Sequence, residues 1–183
     1  MGNNIIFIVM DDKEKIKFLE NTIGRFDSYI NSTNNKTSVI IAFNAILIGT
    51  ALFKFDDLLK LFTKCQQFQY YAIFVIFLII LFSAISMLFA FRAVSPFLES
   101  GEEEGIYTSL KFFNSIIKMQ KEDYIERIRK LSDEEAISDL GQQSYVLAKG
   151  LSLKMRYLKT STIFIFLNLV LLIILMLLKL FSI

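Results

Sequence analysis

Asn44, Ser86 and Asn168 are polar side chains set inside long uncharged apolar stretches of this chain. An amide or hydroxyl in hydrocarbon needs a hydrogen-bond partner, so such residues either tie helices together or line a hydrated path. Asn44 is six residues past Ser38, Ser86 six before Arg92, and Asn168 seven past Ser161. At helical rise each lies roughly 9 to 10 Å inside its apolar stretch, measured from the same side, so the three are expected to form one intramembrane polar layer. Bonding between helices of one protomer is the simpler use of that layer, and a ring lining a pore in an oligomer is the sharper one. The acidic groups are less suggestive. Asp133, Glu134 and Glu135 open a helix and suit its positive end, and Asp56-Asp57 is a loop pair. With no His and a single cysteine, Cys65, the chain lacks the usual general base, a disulfide and a Cys-rich metal site. No Gly-rich loop follows a strand to cradle phosphate. We therefore expect no catalytic residues, no metal and no resident cofactor.

The elements that position the polar residues are long. Tyr70 to Phe91 is uncharged until Arg92 and spans roughly 30 Å as a helix, the thickness of a bilayer's hydrocarbon core. Hydrophobic residues make up 54% of the chain and there are 19 Phe but no Trp, which is membrane-protein composition. Twenty Lys and Arg against eighteen Asp and Glu leave +2, too balanced for a nucleic-acid groove, so no nucleic-acid partner is expected. The fold class is an all-α integral membrane protein, with three transmembrane helices and a cytosolic helical insert. Residues 1–36 form a cytosolic amphipathic helix, 37–55 the first span, 56–69 a short external loop, 70–91 the second span, 92–159 the insert and 160–180 the third span.

Ile16, Leu19, Ile23, Phe26 and Ile30 recur at alternating steps of three and four, the stripe of a helix in a bundle. Such a stripe packs against the chain's own insert or, if the chain is an anchor, against a cytosolic partner. The polar cluster Asn31 to Ser38 either breaks that helix or carries it to the membrane. Ser95-Pro96 ends the second span, Glu102 to Glu104 read as a loop, and Ile106 to Phe113 is ambiguous between strand and helix. Gln120 to Leu131 predicts a short helix. Ser132 to Glu135 has capping-box spacing, and the helix it starts passes the weak breakers Gly141 and Gly150 into the third span. Lys36, Arg92, Lys154, Arg156 and Lys159 crowd three membrane ends on one side, which the positive-inside rule assigns to the cytoplasm. Cys65 and Ile183 then face outward.

Two stretches, Arg25 to Gly49 and Phe112 to Phe164, carry a family resemblance. The turn Asn34-Asn35-Lys36 opens the first span, Tyr124, Arg127, Leu131 to Glu135 and Gln143 follow in order, and Lys154 to Tyr157 lead into the last span. The chain thus resembles the small membrane effector domain of bacterial Pycsar anti-phage systems, though relatives often carry an acid before the Lys where this chain has Asn34. The chain is expected to be a multi-pass homo-oligomer in the lipid bilayer, and the resemblance implies that this is the bacterial inner membrane. It implies further that a partner nucleotide cyclase makes a cyclic pyrimidine mononucleotide on infection, the ligand or trigger, and that the effector then impairs the membrane. Asn34, Lys36, Arg92, Lys154 and Arg156 are the polar residues expected at the cytosolic boundary. The alternative from the residues alone is a non-enzymatic membrane anchor.

Overall fold

The structure, a computed structural model, describes residues 10–62, 66–96 and 109–181. Among these residues every regular element is a helix: α1 (Asp12–Phe53), α2 (Phe55–Lys60), α3 (Gln66–Val94), α4 (Phe113–Ile116), α5 (Lys121–Lys130) and α6 (Asp133–Phe181). Three of them, α1, α3 and α6, are long and apolar enough to cross a membrane. Cys65, Ile183 and the acidic run Glu102 to Glu104 lie outside the described residues.

Both long outer helices start on reciprocal caps. The Glu14 N–H donates to Asp11 Oδ1 at 2.7 Å while the Asp11 N–H donates to Glu14 Oε2 at 3.3 Å. At α6 the capping box forms as its spacing predicts: the Ser132 N–H donates to Glu135 Oε2 at 3.0 Å and the Glu135 N–H to Ser132 Oγ at 3.3 Å. These bonds satisfy amides that have no partner within the helix. Helix α1 runs through Asn31 to Ser38 unbroken. Its hydroxyls explain how: Thr37 Oγ1 donates to the Thr33 carbonyl at 2.7 Å and Ser38 Oγ to the Asn34 carbonyl at 3.0 Å, so the side chains bond within the helix instead of competing with it. Helix α6 passes Gly141 and Gly150 without interruption.

The chain divides into two compact units. One comprises residues up to Tyr29 together with the chain from Phe97 to Leu151, and so holds the start of α1, α4, α5 and the first part of α6. The predicted stripe from Ile16 to Ile30 is half-buried, and Leu140 is enclosed. Lys111 reaches Glu20 at 3.3 Å and ties the segment before α4 to α1. Of the ambiguous stretch Ile106 to Phe113, residues 109–112 are irregular and Phe113 opens α4; the rest lies outside the described residues. Helix α5 falls where a short helix was expected, with acids in its first turn and Arg127, Arg129 and Lys130 in its last, as the macrodipole favours.

The other unit holds the rest of α1 and α6 with α2 and α3. Its contacts pair Asn34 with Lys154, Asn44 with Ser86, and Ser83 with Asn168, so α3 runs antiparallel to both α1 and α6. Helix α3 buries Ala72, Ile76, Ile79, Ser83, Ser86, Ala90 and Ala93, none more than 3% exposed. That is an unbroken four-three repeat, the seam of left-handed helix packing, and its small residues let backbones approach closely. On α1 the repeat passes through the buried Thr33, Thr37, Asn44 and Ala51; on α6, through Lys154, Ser161 and Asn168. Phe82, Phe89, Tyr157 and Phe164 interleave between α3 and α6 with centroids 5.7 to 6.4 Å apart. Phe74, Phe77, Leu88, Phe166 and Met176 are exposed on the outside, where a lipid solvent would favour them.

Candidate functional site

The seam is polar where a soluble coiled coil would carry Leu. Asn44, fully enclosed, donates through Nδ2 to the Ile40 carbonyl at 3.0 Å and to Ser86 Oγ at 2.9 Å. Ser86 and Ser161 then exchange hydrogen bonds. Ser86 Oγ donates to the Ser161 carbonyl at 3.0 Å, Ser161 Oγ donates to the Ser86 carbonyl at 2.8 Å, and the two hydroxyls lie 3.0 Å apart. Side-chain bonds to backbone carbonyls bring the two helices into close contact, which only a small side chain on each permits.

Asn168 joins a different level. Its Nδ2 donates to Ser83 Oγ at 2.9 Å, one turn along α3 from Ser86 and two turns along α6 from Ser161. The structure therefore brings Asn44 and Ser86 into contact and seats Asn168 on a neighbour, Ser83, so the three do not share one contact set. Both amides have the same defect: Asn44 Oδ1 and Asn168 Oδ1 are buried with no hydrogen-bond partner. Each orphaned oxygen costs about 1–3 kcal/mol relative to a hydrated one.

Above this seam sits Lys154. Its side chain is only 6% exposed, yet Nζ donates to the carbonyls of Ala93 at 2.7 Å, Val94 at 3.1 Å and Ser95 at 2.9 Å. Those carbonyls are the free end of α3, which Pro96 cannot continue, so an ammonium closes a helix C-terminus from another helix. Burial pulls the Lys154 pKa below the usual lysine value of 10.5. The carbonyls and the negative end of α3 favour the charged ammonium. Asn34 Oδ1 is a fourth, longer acceptor at 3.4 Å. Of the boundary residues, Lys154 and Asn34 thus meet, whereas Lys36, Arg92 and Arg156 are exposed.

Sequence reasoning passed over Ser83 and Ser161 as partners. The signal was available as spacing: Lys154, Ser161 and Asn168 are seven apart, and Ser83 and Ser86 continue the Ala repeat of α3. It passed over Asp139 as well. That carboxylate, 5% exposed, accepts from Ser109 Oγ at 2.7 Å and from the Leu110 N–H at 3.0 Å, while Ser109 Oγ accepts from the Lys111 and Phe112 amides at 3.1 Å. Thirty residues separate Ser109 from Asp139, and no local pattern links them. No group of three or more acids or cysteines among the described residues is arranged to hold a metal ion.

Fold and seam together define an all-helical protein whose three long helices, each able to cross a membrane, are joined through buried polar side chains. The chain belongs to the Pycsar effector family: the Pycsar effector protein domain matches residues 18–181. It is also similar to the Pycsar effector protein EcPycTM of Escherichia coli, 24% identical over 139 residues that cover 75% of each chain. No solved structure matches.

Proposed function

We propose that this chain is a multi-pass protein of the bacterial inner membrane, an anti-phage effector that permeabilises the membrane when a cyclic nucleotide signal repacks its cytosolic helices. The observation that carries this reading is the pair of orphaned amide oxygens, Asn44 Oδ1 and Asn168 Oδ1, enclosed in an otherwise apolar bundle. A closed state with two such groups is under-satisfied by about 2–6 kcal/mol, and hydration of the seam relieves that cost. Helix α6 supplies the transmission. It is hydrogen-bonded without a break from its capped start at Asp133 to Phe181, so a turn imposed on its first part reaches Asn168 without slack. A single protomer is too small to enclose a channel among three close-packed helices, so the aqueous path is assembled from several copies, each contributing Asn44 and Asn168. The signal's leverage is its differential affinity for the two packings. A nucleotide cyclase that makes the signal is the functional partner in this scheme.

The test uses cells carrying the cyclase and a potential-sensitive dye. Asn168→Leu should abolish depolarisation while expression and oligomerisation persist, and a Gly-Gly-Ser insertion after Lys159 should uncouple the signal from the membrane. If Asn168→Leu and Asn44→Leu both depolarise like wild type, the seam only holds the helices together.

A further inference from the structure

We propose that α6 seats one anionic phospholipid on the face turned away from the seam, with the lipid phosphate at Lys159 and an acyl chain along Ile163, Phe166 and Val170. The inference goes beyond the effector reading and does not depend on it. Ser161 and Asn168 bond to α3, and at ~100° per residue Lys159, Ile163, Phe166 and Val170 lie on the opposite side of α6. Together with Thr162 and Leu167 they line a groove of about 490 Å³. Of the three apolar helices α6 is also the least buried within its apolar window, so this face is left for a neighbour outside the protomer.

The groove has one polar end. The Thr162 hydroxyl donates to the Leu158 carbonyl at 2.8 Å, so that donor is satisfied within the helix. Lys159 is the charged residue of the lining, and it makes no ion pair among the described residues. Its four-carbon stem can lie along the apolar wall while the ammonium stays at headgroup level. Arg156, exposed one turn earlier, adds a second cation near the same end. From Lys159 to Val170 the groove runs about 16 Å at helical rise, about half of the roughly 30 Å hydrocarbon core. That is the depth of one leaflet, which suits an acyl chain hanging from a headgroup.

Charge decides between a lipid and a second copy of the chain. No Asp or Glu lies between Asp27 and Asp56, between Asp57 and Glu99, or after Asp139, so none of the three spans carries a carboxylate, in this copy or in another. Two spans packed through this face would enclose the Lys159 ammonium without an anion, which is costly in hydrocarbon. A lipid phosphate supplies that anion. A zwitterionic headgroup brings its own cation toward Lys159 and Arg156, so the site favours a net negative lipid.

The test is native mass spectrometry of the purified full chain in detergent, with equal amounts of phosphatidylglycerol and phosphatidylcholine of identical acyl chains. Wild type should retain phosphatidylglycerol over phosphatidylcholine by about fivefold or more, and Lys159→Gln should lower that ratio about fivefold. Lys36→Gln, whose side chain does not line the groove, should leave the ratio unchanged. Phe166→Ala should weaken retention of both lipids alike, and circular dichroism checks that the variants fold as wild type does. Equal retention of the two lipids by wild type, or the same loss of preference in Lys159→Gln and Lys36→Gln, reduces the effect to a positive surface and overturns the site. If Phe166→Ala leaves lipid retention intact and shifts the same spectra toward monomer, the groove seats a second copy and the proposal fails.

Discussion

Lys154→Met tests whether a single buried ammonium holds the end of α3. Met keeps the length and apolar character of the side chain but removes the donor, so three carbonyls at 2.7 to 3.1 Å lose their partner. Charge-assisted bonds contribute about 1.5–3 kcal/mol each when taken singly. They do not add, because one ammonium serves all three, its desolvation is recovered on removal, and the bonds to Val94 and Ser95 are only part-buried, so water can replace them. A loss of about 3 kcal/mol is the expected balance. It should appear as a lower thermal midpoint in detergent and as faster hydrogen exchange in the last turn of α3, with no change around Ala72 to Ile79. Lys154→Arg sharpens the test. The three carbonyls converge on one atom, which suits a compact ammonium and not a planar fork, so Arg should recover less than half of the loss. An unchanged midpoint in Lys154→Met, or full function of Lys154→Arg as a cap, would refute the reasoning.

Asn34→Asp should convert the 3.4 Å contact with Lys154 into an ion pair and raise the stability by about 1 kcal/mol, less at high salt, read as a higher thermal midpoint; a salt-independent or negative change would count against it. Glu135 has its pKa lowered from 4.5, first by the Ser132 amide and then by the Ser132 hydroxyl. Its contribution to the α6 start is thus complete above pH 4.5 and fades as pH falls through the lowered value, so Glu135→Gln should flatten that part of the stability–pH profile. Ala90→Leu places a large side chain on a seam position with no exposure and should cost about 1–3 kcal/mol by overpacking, whereas Leu88→Ala, on the exposed face, should cost little; equal effects would remove the seam. For orientation, a membrane-impermeant thiol reagent should label Cys65 in intact cells, and labelling only after permeabilisation would invert the topology.

How far the chain could be read without coordinates depended on contrast. The capping box at Ser132 and the short helix before it were legible, because polar and apolar residues alternate there with a clear period. The stripe from Ile16 to Ile30 was legible for the same reason, but its continuation was not. Past Ile30 the repeat passes to Thr33 and Thr37, polar residues that look like a break until their hydroxyls are seen bonding back to the helix. In α3 contrast vanishes altogether, since inner and outer faces are both apolar. Size, not hydropathy, marks the buried face there: Ala72, Ser83, Ser86, Ala90 and Ala93 lie inside while Phe74, Phe77, Leu88 and Phe91 lie outside. Depth counted from each helix end put Asn44, Ser86 and Asn168 in one layer. The seam bonds them differently because Ser161, used as the edge of the third apolar stretch, itself sits level with Ser86.

That displacement matters for how opening would proceed. Lys154, Ser161 and Asn168 are spaced by sevens and share one face of α6, and all three bond to α3. A rotation of α6 that brings Asn168 to water must also draw Lys154 from the α3 carbonyls and part Ser161 from Ser86. The three contacts therefore break together, which makes an intermediate with only one of them lost costly and favours two discrete packings over a continuous series. Small side chains at Ser83, Ser86, Ala90 and Ala93 keep the closed packing tight through backbone approach, while the orphaned oxygens of Asn44 and Asn168 raise its energy. On the proposed reading the closed state is held chiefly by Lys154 at one end of this face and penalised at Asn168 at the other. A signal acting at the start of α6 then needs only to offset the latch, because hydration of the amides supplies the remainder.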